Sequence, residues 1–113
     1  MAKRYLRDRY STEGTLLSVA SERDRRILDA LGSIGVAGTL HHLVSEIPDQ
    51  FEDFYTVLID GRDVVSFELP KAGPAVPENV DRCSAASYRE ELGQGKTRIR
   101  FDRLLEASKR VAD

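Results

Sequence analysis

The sequence predicts an α+β fold in which an antiparallel sheet, built around a central β-hairpin at about residues 51–69, packs against three to four short helices. Three observations predict it. A chain of 113 residues, 41% hydrophobic and 32% charged, has the size and composition of one globular domain, taken here as 1–113. The segment 51–69 is aromatic, β-branched and alternating. Segments on both sides of it carry apolar residues at helical spacing.

The N-terminal part predicts an arm followed by one helix. Residues 1–12 are rich in Arg and Tyr without a clear period, so we expect an arm or an edge segment. Residues 15–20 fit either a short strand or the first turn of a long helix. Ser21 has the chemistry of an N-cap, which favours a break before it. Helix one then runs to Gly32, the expected C-terminal glycine.

A second short helix is predicted after the glycine-rich connection that contains Gly32, Gly35 and Gly38. Its apolar residues recur at i, i+3, i+4 and i+7, the spacing of one helix face, with Thr39 as the cap and Pro48 as the stop. These residues are Leu40, Leu43, Val44 and Ile47.

The hairpin is predicted from turn chemistry at 60–63 between two strand-like runs. Pairing Ile59 with Val64 across a four-residue loop places one set of apolar residues on a single face: Phe54, Leu58, Val65, Phe67 and Leu69. The other face is partly polar and is expected to be partly exposed: Tyr55, Val57, Ile59, Val64, Ser66 and Glu68.

The remaining chain predicts a loop and two helices. Three prolines and Gly73 make 70–77 a surface loop. A helix should run from about Asp81 or Ser84 to Leu92, stopped by Gly93, and a last helix should follow. The first residue of that helix is predicted only to within several residues, because 97–101 also alternates like a strand.

The cysteine count and the hydropathy of the sequence indicate the cellular compartment of the protein. Cys83 is the single cysteine, so no internal disulfide can form, and a lone thiol is typical of a reducing compartment. No export signal and no apolar run of about 20 residues is present, so we expect a cytoplasmic protein with no membrane segment. The oligomeric state stays open.

Charge is strongly asymmetric along the chain. Residues 46–68 carry seven acidic residues against Arg62 alone, a net charge of −6, although the whole chain carries only −2. Such residues can serve as metal ligands, as a catalytic pair, as an ordinary solvated face or as a protein-binding face. The spacing matches no calcium loop, and we expect no metal, no cofactor and no catalytic residue. The candidate partner-binding residues are Glu52, Asp53, Tyr55, Asp60, Asp63 and Glu68.

Other candidate sites have simpler explanations. His41 and His42 are adjacent and lie outside the apolar stripe, which predicts surface histidines. Cys83 has no flanking catalytic signature and is expected to be a buried structural residue. Gly95-Lys96-Thr97 lacks the earlier glycine of a phosphate-binding loop, so we expect a turn there.

The C-terminal segment is mildly basic and offers an alternative function. It could make a small nucleic-acid-binding regulator that uses its last helix, although interspersed acidic residues dilute the charge. Nucleic acid is therefore not expected to be the partner. The basic side chains are Lys96, Arg98, Arg100, Arg103, Lys109 and Arg110.

A small, cysteine-poor domain with an acidic, aromatic-flanked segment resembles the immunity proteins of bacterial toxin systems, including contact-dependent growth inhibition. The resemblance rests on size, charge layout and the stretch from Phe51-Glu52-Asp53-Phe54-Tyr55 to Glu68-Leu69. It implies a non-catalytic antitoxin whose partner is a basic protein, a toxin nuclease domain that it occludes.

Overall fold

The computed structural model describes residues 11–112 and the side chains of 16–110. The described residues form five strands and three helices. In chain order they are β1 (Ser11–Leu16), α1 (Glu22–Ser33), β2 (His41–Pro48), β3 (Glu52–Ile59), β4 (Asp63–Pro70), β5 (Glu78–Ser84), α2 (Ala85–Leu92) and α3 (Lys96–Ala112).

The strands form one antiparallel sheet in the order β1-β2-β3-β4-β5, so every strand pairs with its neighbours in sequence. The predicted α+β class is confirmed. The hairpin β3–β4 is one part of this meander, with β2 and β5 on its outer sides. Of the predicted arm, residues 1–10 lie outside the described part of the chain, and Ser11 already belongs to β1.

Helix α1 covers one face of the sheet. Ser21 caps it as predicted, because the Ser21 hydroxyl accepts the N–H of Asp24. The helix continues past Gly32 to Ser33, and Gly35 takes the left-handed conformation with φ of +76°. The predicted end was therefore early. The core under α1 contains Ile27, Leu31, Leu43, Tyr55, Val57, Ile59, Val65, Phe67 and Leu69.

Helices α2 and α3 cover the opposite face, toward the end of the sheet where β3 turns into β4. Ser84 caps α2 and Gly93 ends it with φ of +70°, so the later of the two predicted starts is right and residues before Ser84 are a strand. Tyr88 and Phe101 pack edge to face at 4.9 Å between ring centres. This second core contains Leu58, Val64, Ala85, Tyr88, Leu92, Phe101 and Leu104.

The predicted helix over Leu40 to Ile47 is wrong, because the segment from His41 to Pro48 is strand β2. A bulge between Leu43 and Ser45 explains the misleading period. Leu43 packs in the α1-side core, whereas Val44 packs against the other core. The extra residue breaks the strand's two-residue alternation, so the apolar spacing imitates that of a helix.

The predicted hairpin register is wrong by one residue. Ile59 pairs with Asp63, and Leu58 pairs with Val64, across a three-residue turn in which Asp60 and Gly61 have positive φ. Each face therefore receives a different set from the predicted one. Phe67 and Tyr55 face α1, with 6.0 Å between ring centres, while Leu58 faces α2 and α3.

Candidate functional site

The strand alternation separates the six predicted binding residues into three places. Asp53 pairs with Leu69 and Tyr55 pairs with Phe67, so both lie on the α1 side of the sheet. Glu52 and Glu68 lie on the opposite side, because each is one residue away from those positions. Asp60 and Asp63 lie at the β3–β4 turn, roughly 15 to 25 Å away along the strands.

On the side opposite α1, three carboxylates converge into what we call the glutamate cluster: Glu52, Glu68 and Glu78. Each offers one carboxylate oxygen, and these oxygens lie within 4.8 Å of one another. Glu68 pairs directly with Glu78 across β4 and β5, which places both side chains on the same face. Glu78 was not among the predicted binding residues, because it begins β5, a strand that the sequence pattern did not predict.

The glutamate cluster has little internal compensation. Asn79 Nδ2 donates a hydrogen bond of 2.8 Å to Glu68 Oε2. Within the described part of the chain, none of the three glutamates forms an ion pair. Converging carboxylate oxygens suit a lysine, a guanidinium or a hard divalent cation. The cluster is therefore a surface that attracts positive charge.

An exposed aromatic side chain lies next to the cluster in sequence. Phe51, in the β2–β3 turn, is 74% exposed and immediately precedes Glu52. The backbone there is ordered by the chain itself, since the N–H of Lys71 donates to the carbonyl of Phe51 at 3.1 Å. Exposed aromatic side chains are common anchors in protein interfaces.

A second charged region lies on the α1 side and is called here the charged groove. It has a volume of about 410 Å³ and is lined by Glu22, Arg23, Arg26, Asp53, Tyr55, Leu69, Pro70 and Lys71. Its three cations are engaged within the chain. Lys71 pairs with Asp53 at 2.6 Å, Arg23 pairs with Asp24 and Glu46, and Arg26 donates to the carbonyls of Pro70 and Gly73.

Tyr55 and Asp53 therefore take part in packing and pairing within the chain. Tyr55 is only 5% exposed, and burial raises the pKa of its phenol, with the nearby carboxylates of Asp53 and Glu46 acting in the same direction. Phe51 directly precedes Glu52 in sequence and is strongly exposed, although it was not among the predicted binding residues.

At the β3–β4 turn, the two predicted aspartates differ. Asp60 Oδ1 accepts the N–H groups of Thr39 and Leu40 at 2.9 and 2.7 Å. The hydrogen bond from Leu40 is the first cause that lowers the pKa of Asp60. Asp63 is exposed. Asp60 thus fixes the entry to β2, and Asp63 is open to solvent.

The histidines are not on a helix surface. His42 lies in β2 opposite Leu58, is 2% exposed, and its Nδ1 has no hydrogen-bond partner among the described residues. Burial lowers the pKa of His42, and the neighbouring His41 adds to the effect. The prediction of a surface histidine is wrong for His42, while His41 is half-buried.

Cys83 is half-buried at the end of β5, against the second core. Burial is the main cause that raises the pKa of its thiol, and nearby acidic residues add to it. A raised pKa disfavours the nucleophilic thiolate. The connection between α2 and α3 consists of Gly93, Gln94 and Gly95, so the predicted turn is right for Gly95 but wrong for Lys96 and Thr97, which begin α3.

A basic groove of about 360 Å³ lies on α3 and is lined by Lys96, Ile99, Arg100 and Arg103. Ile99 is 51% exposed within it. The helix therefore presents cations around an apolar side chain, on an element separate from the glutamate cluster. The C-terminal basic residues do not all meet there, since Arg98 donates to the carbonyl of Gly93.

Comparison with known proteins identifies no relative: no family model, no curated protein and no solved structure matches this chain. Among the described residues, no helix has the length and apolar character required to cross a membrane.

Proposed function

We propose that this chain is a non-catalytic protein-binding domain of the immunity or inhibitor type, which neutralises a basic toxin nuclease by covering its active site in the cytoplasm. The glutamate cluster is the observation that supports this proposal. Three carboxylates held within 4.8 Å, with no ion pair to a described residue, repel one another until a positive group approaches. A nuclease that binds phosphate with Lys and Arg supplies such groups.

The surroundings of the cluster suit a protein partner better than a free ion. Phe51, the residue that precedes Glu52, offers a large exposed apolar side chain. In this mode the aromatic ring supplies affinity, and the carboxylates speed the encounter and orient the partner. The proposed surface consists of Phe51, Glu52, Glu68 and Glu78, so Asp53, Tyr55 and Asp60 are assigned to the chain's own packing.

The direct test uses toxin domains encoded beside this chain's gene. Each is co-expressed with the chain, and stoichiometric co-elution and inhibition of nuclease activity are measured. A variant with Glu52→Lys, Glu68→Lys and Glu78→Lys should lose inhibition, mainly through slower association. The matched control, Glu90→Lys, Glu91→Lys and Glu106→Lys, makes the same charge change at exposed residues of α2 and α3 and should keep it.

Two outcomes contradict the proposal. Equal loss in both triple variants would mean that only net charge matters. Inhibition that disappears when EDTA removes divalent cations, and returns with Mg²⁺ or Ca²⁺, would make the cluster a metal site instead of a surface that pairs with cationic side chains.

The basic groove supports a second candidate, a small nucleic-acid-binding regulator. Lys96, Arg100 and Arg103 lie at i, i+4 and i+7 and line one concave surface on α3. Such a row can follow phosphates. The first candidate is preferred because the chain is acidic overall, and its acidic segment repels nucleic acid.

A further inference from the structure

Strand β5 is the terminal strand of the described sheet. It pairs with β4 on one side, and no other described strand pairs with it. An unpaired strand edge presents backbone N–H and C=O groups that can bind another strand. Such an edge is a recognition surface of defined geometry, because an extended peptide can add to it.

The side chains of β5 are also uncovered. All five residues from Glu78 to Arg82 are exposed, and Val80 is 40% exposed. Cys83 is the one β5 residue that packs against a described core cluster. Helices α1, α2 and α3 therefore leave most of β5 open, and an added strand would meet little steric obstruction on either face.

The available edge is limited to a short run. The β4–β5 register shifts between Ser66 and Glu68, and Asn79 has a φ of +51°. Such a bulge protects the beginning of an edge strand from indiscriminate pairing. The pairing is regular from Asp81 to Ser84, which leaves this run as the part of β5 on which a strand can align.

The acidic side chains of β5 determine which kind of strand would bind to its edge. Glu78 belongs to the glutamate cluster, and Asp81, opposite Ser66, lies on the same face as Glu68 and Glu78. Side chains on a neighbouring strand would lie about 4.5–5.5 Å from those of β5. A strand with Lys or Arg at alternate positions would pair with them, whereas a second copy of β5 would add further negative charge.

We infer that the partner binds by adding a basic extended strand to the outer edge of β5, so that backbone pairing along Asp81–Ser84 fixes the complex, a Lys or Arg side chain contacts Asp81, and a basic residue at the end of the strand approaches Glu78 beyond the bulge. The inference rests on the proposed function and specifies how the partner is held.

The test uses a blocked peptide of about ten residues that alternates lysine and threonine, a length within the range of natural strands. Amide exchange of the full chain is followed by NMR with and without this peptide. The expected result is exchange slowed by about tenfold at alternate amides of Asp81–Ser84. Two control peptides should not give it: one has glutamate in place of lysine, and one is N-methylated at every second residue, which removes donors and keeps the side chains.

A charge-swap variant gives a second measurement. Glu78→Lys with Asp81→Lys should reverse the preference, so that the glutamate peptide protects β5 and the lysine peptide does not. Thermal unfolding confirms that the variant is folded. Equal binding of the methylated peptide would overturn strand addition, and so would β5 protection that rises with chain concentration in the absence of peptide, which would identify a second copy as the occupant.

The two proposals fail differently. If a toxin domain is bound and inhibited while β5 exchanges as in the free chain, strand addition is wrong and the inhibitor function stands. If the lysine peptide protects β5 but no neighbouring toxin is inhibited, the inhibitor function is wrong and the strand-binding edge stands.

Discussion

Asp60 and Leu40 are joined by two reciprocal hydrogen bonds: the Leu40 N–H donates to Asp60 Oδ1 at 2.7 Å, and the Asp60 N–H donates to the Leu40 carbonyl at 2.8 Å. This pair connects the β3–β4 turn to the start of β2. Asp60, one of the predicted binding residues, is therefore engaged in contacts within the sheet.

Removing the Asp60 carboxylate should destabilise the fold. We expect Asp60→Ala to lower the free energy of unfolding by about 1 to 3 kcal/mol, because two backbone donors lose a charged acceptor. Asp63→Ala, at the exposed position on the other side of the same turn, should change it by no more than about 0.5 kcal/mol. Urea unfolding measures both. Equal effects would assign no special role to the Asp60 carboxylate.

Phe67 should be a large contributor to the core. It is 1% exposed, opposite Tyr55 in the α1-side core, so Phe67→Ala should cost about 3 to 5 kcal/mol in unfolding free energy. Phe51→Ala is the matched control, because its ring is 74% exposed, and should cost less than about 0.5 kcal/mol. Calorimetry of both variants checks the pair, and a Phe67→Ala protein as stable as wild type would contradict the packing.

Stability should fall on mild acidification. The pKa of both His41 and His42 is lowered from the ordinary value of 6.5, chiefly by burial. Below pH 6.5 the unfolded chain therefore binds more protons at these two residues than the folded chain does. The free energy of unfolding should therefore decrease as the pH falls below 6.5 toward the lower folded-state pKa values.

Denaturant unfolding between pH 7.5 and pH 5 measures this loss. His42→Leu should remove part of it, and His41→Gln combined with His42→Leu should remove most of it. A wild-type stability that does not change across that range would contradict the burial of these rings.

Duplex DNA and RNA should not bind appreciably at physiological salt. The chain carries −2 overall, and its acidic segment repels the phosphates that the basic groove attracts. We therefore expect a Kd larger than the values of about 10⁻⁴ to 10⁻⁶ M that nonspecific binders have. A gel-shift titration measures it. A tight, salt-sensitive shift that Lys96→Glu with Arg103→Glu abolishes, and that Lys109→Glu with Arg110→Glu leaves intact, would favour the nucleic-acid regulator instead.

The sequence predicted correctly those features that depend on residues close together in the chain. The Ser21 cap, the Gly93 stop and the strand–turn–strand segment depend on neighbouring residues, and the structure contains each of them. The β2 strand was missed because its bulge imitates a helical period. The hairpin register was missed because three- and four-residue turns have the same composition and differ only in which residues pair.

The acidic surface could be predicted only in part. The excess of carboxylates in 46–68 is visible in the sequence, but a strand sends successive side chains to opposite faces, so Asp53 and Glu52 separate despite being adjacent. Glu78 joins Glu52 and Glu68 only through the pairing of β4 with β5, a contact between segments that no local pattern specifies.

The meander order of the sheet has a consequence for synthesis of the chain. Each strand from β2 to β5 pairs with the strand that precedes it in the chain order of strands, so the sheet can assemble as it is made. Leu58 and Val64, however, stay uncovered until Phe101 and Leu104 of α3 can pack against them. Until α3 has been synthesised, the nascent chain presents an open apolar face, which is the feature that chaperones bind.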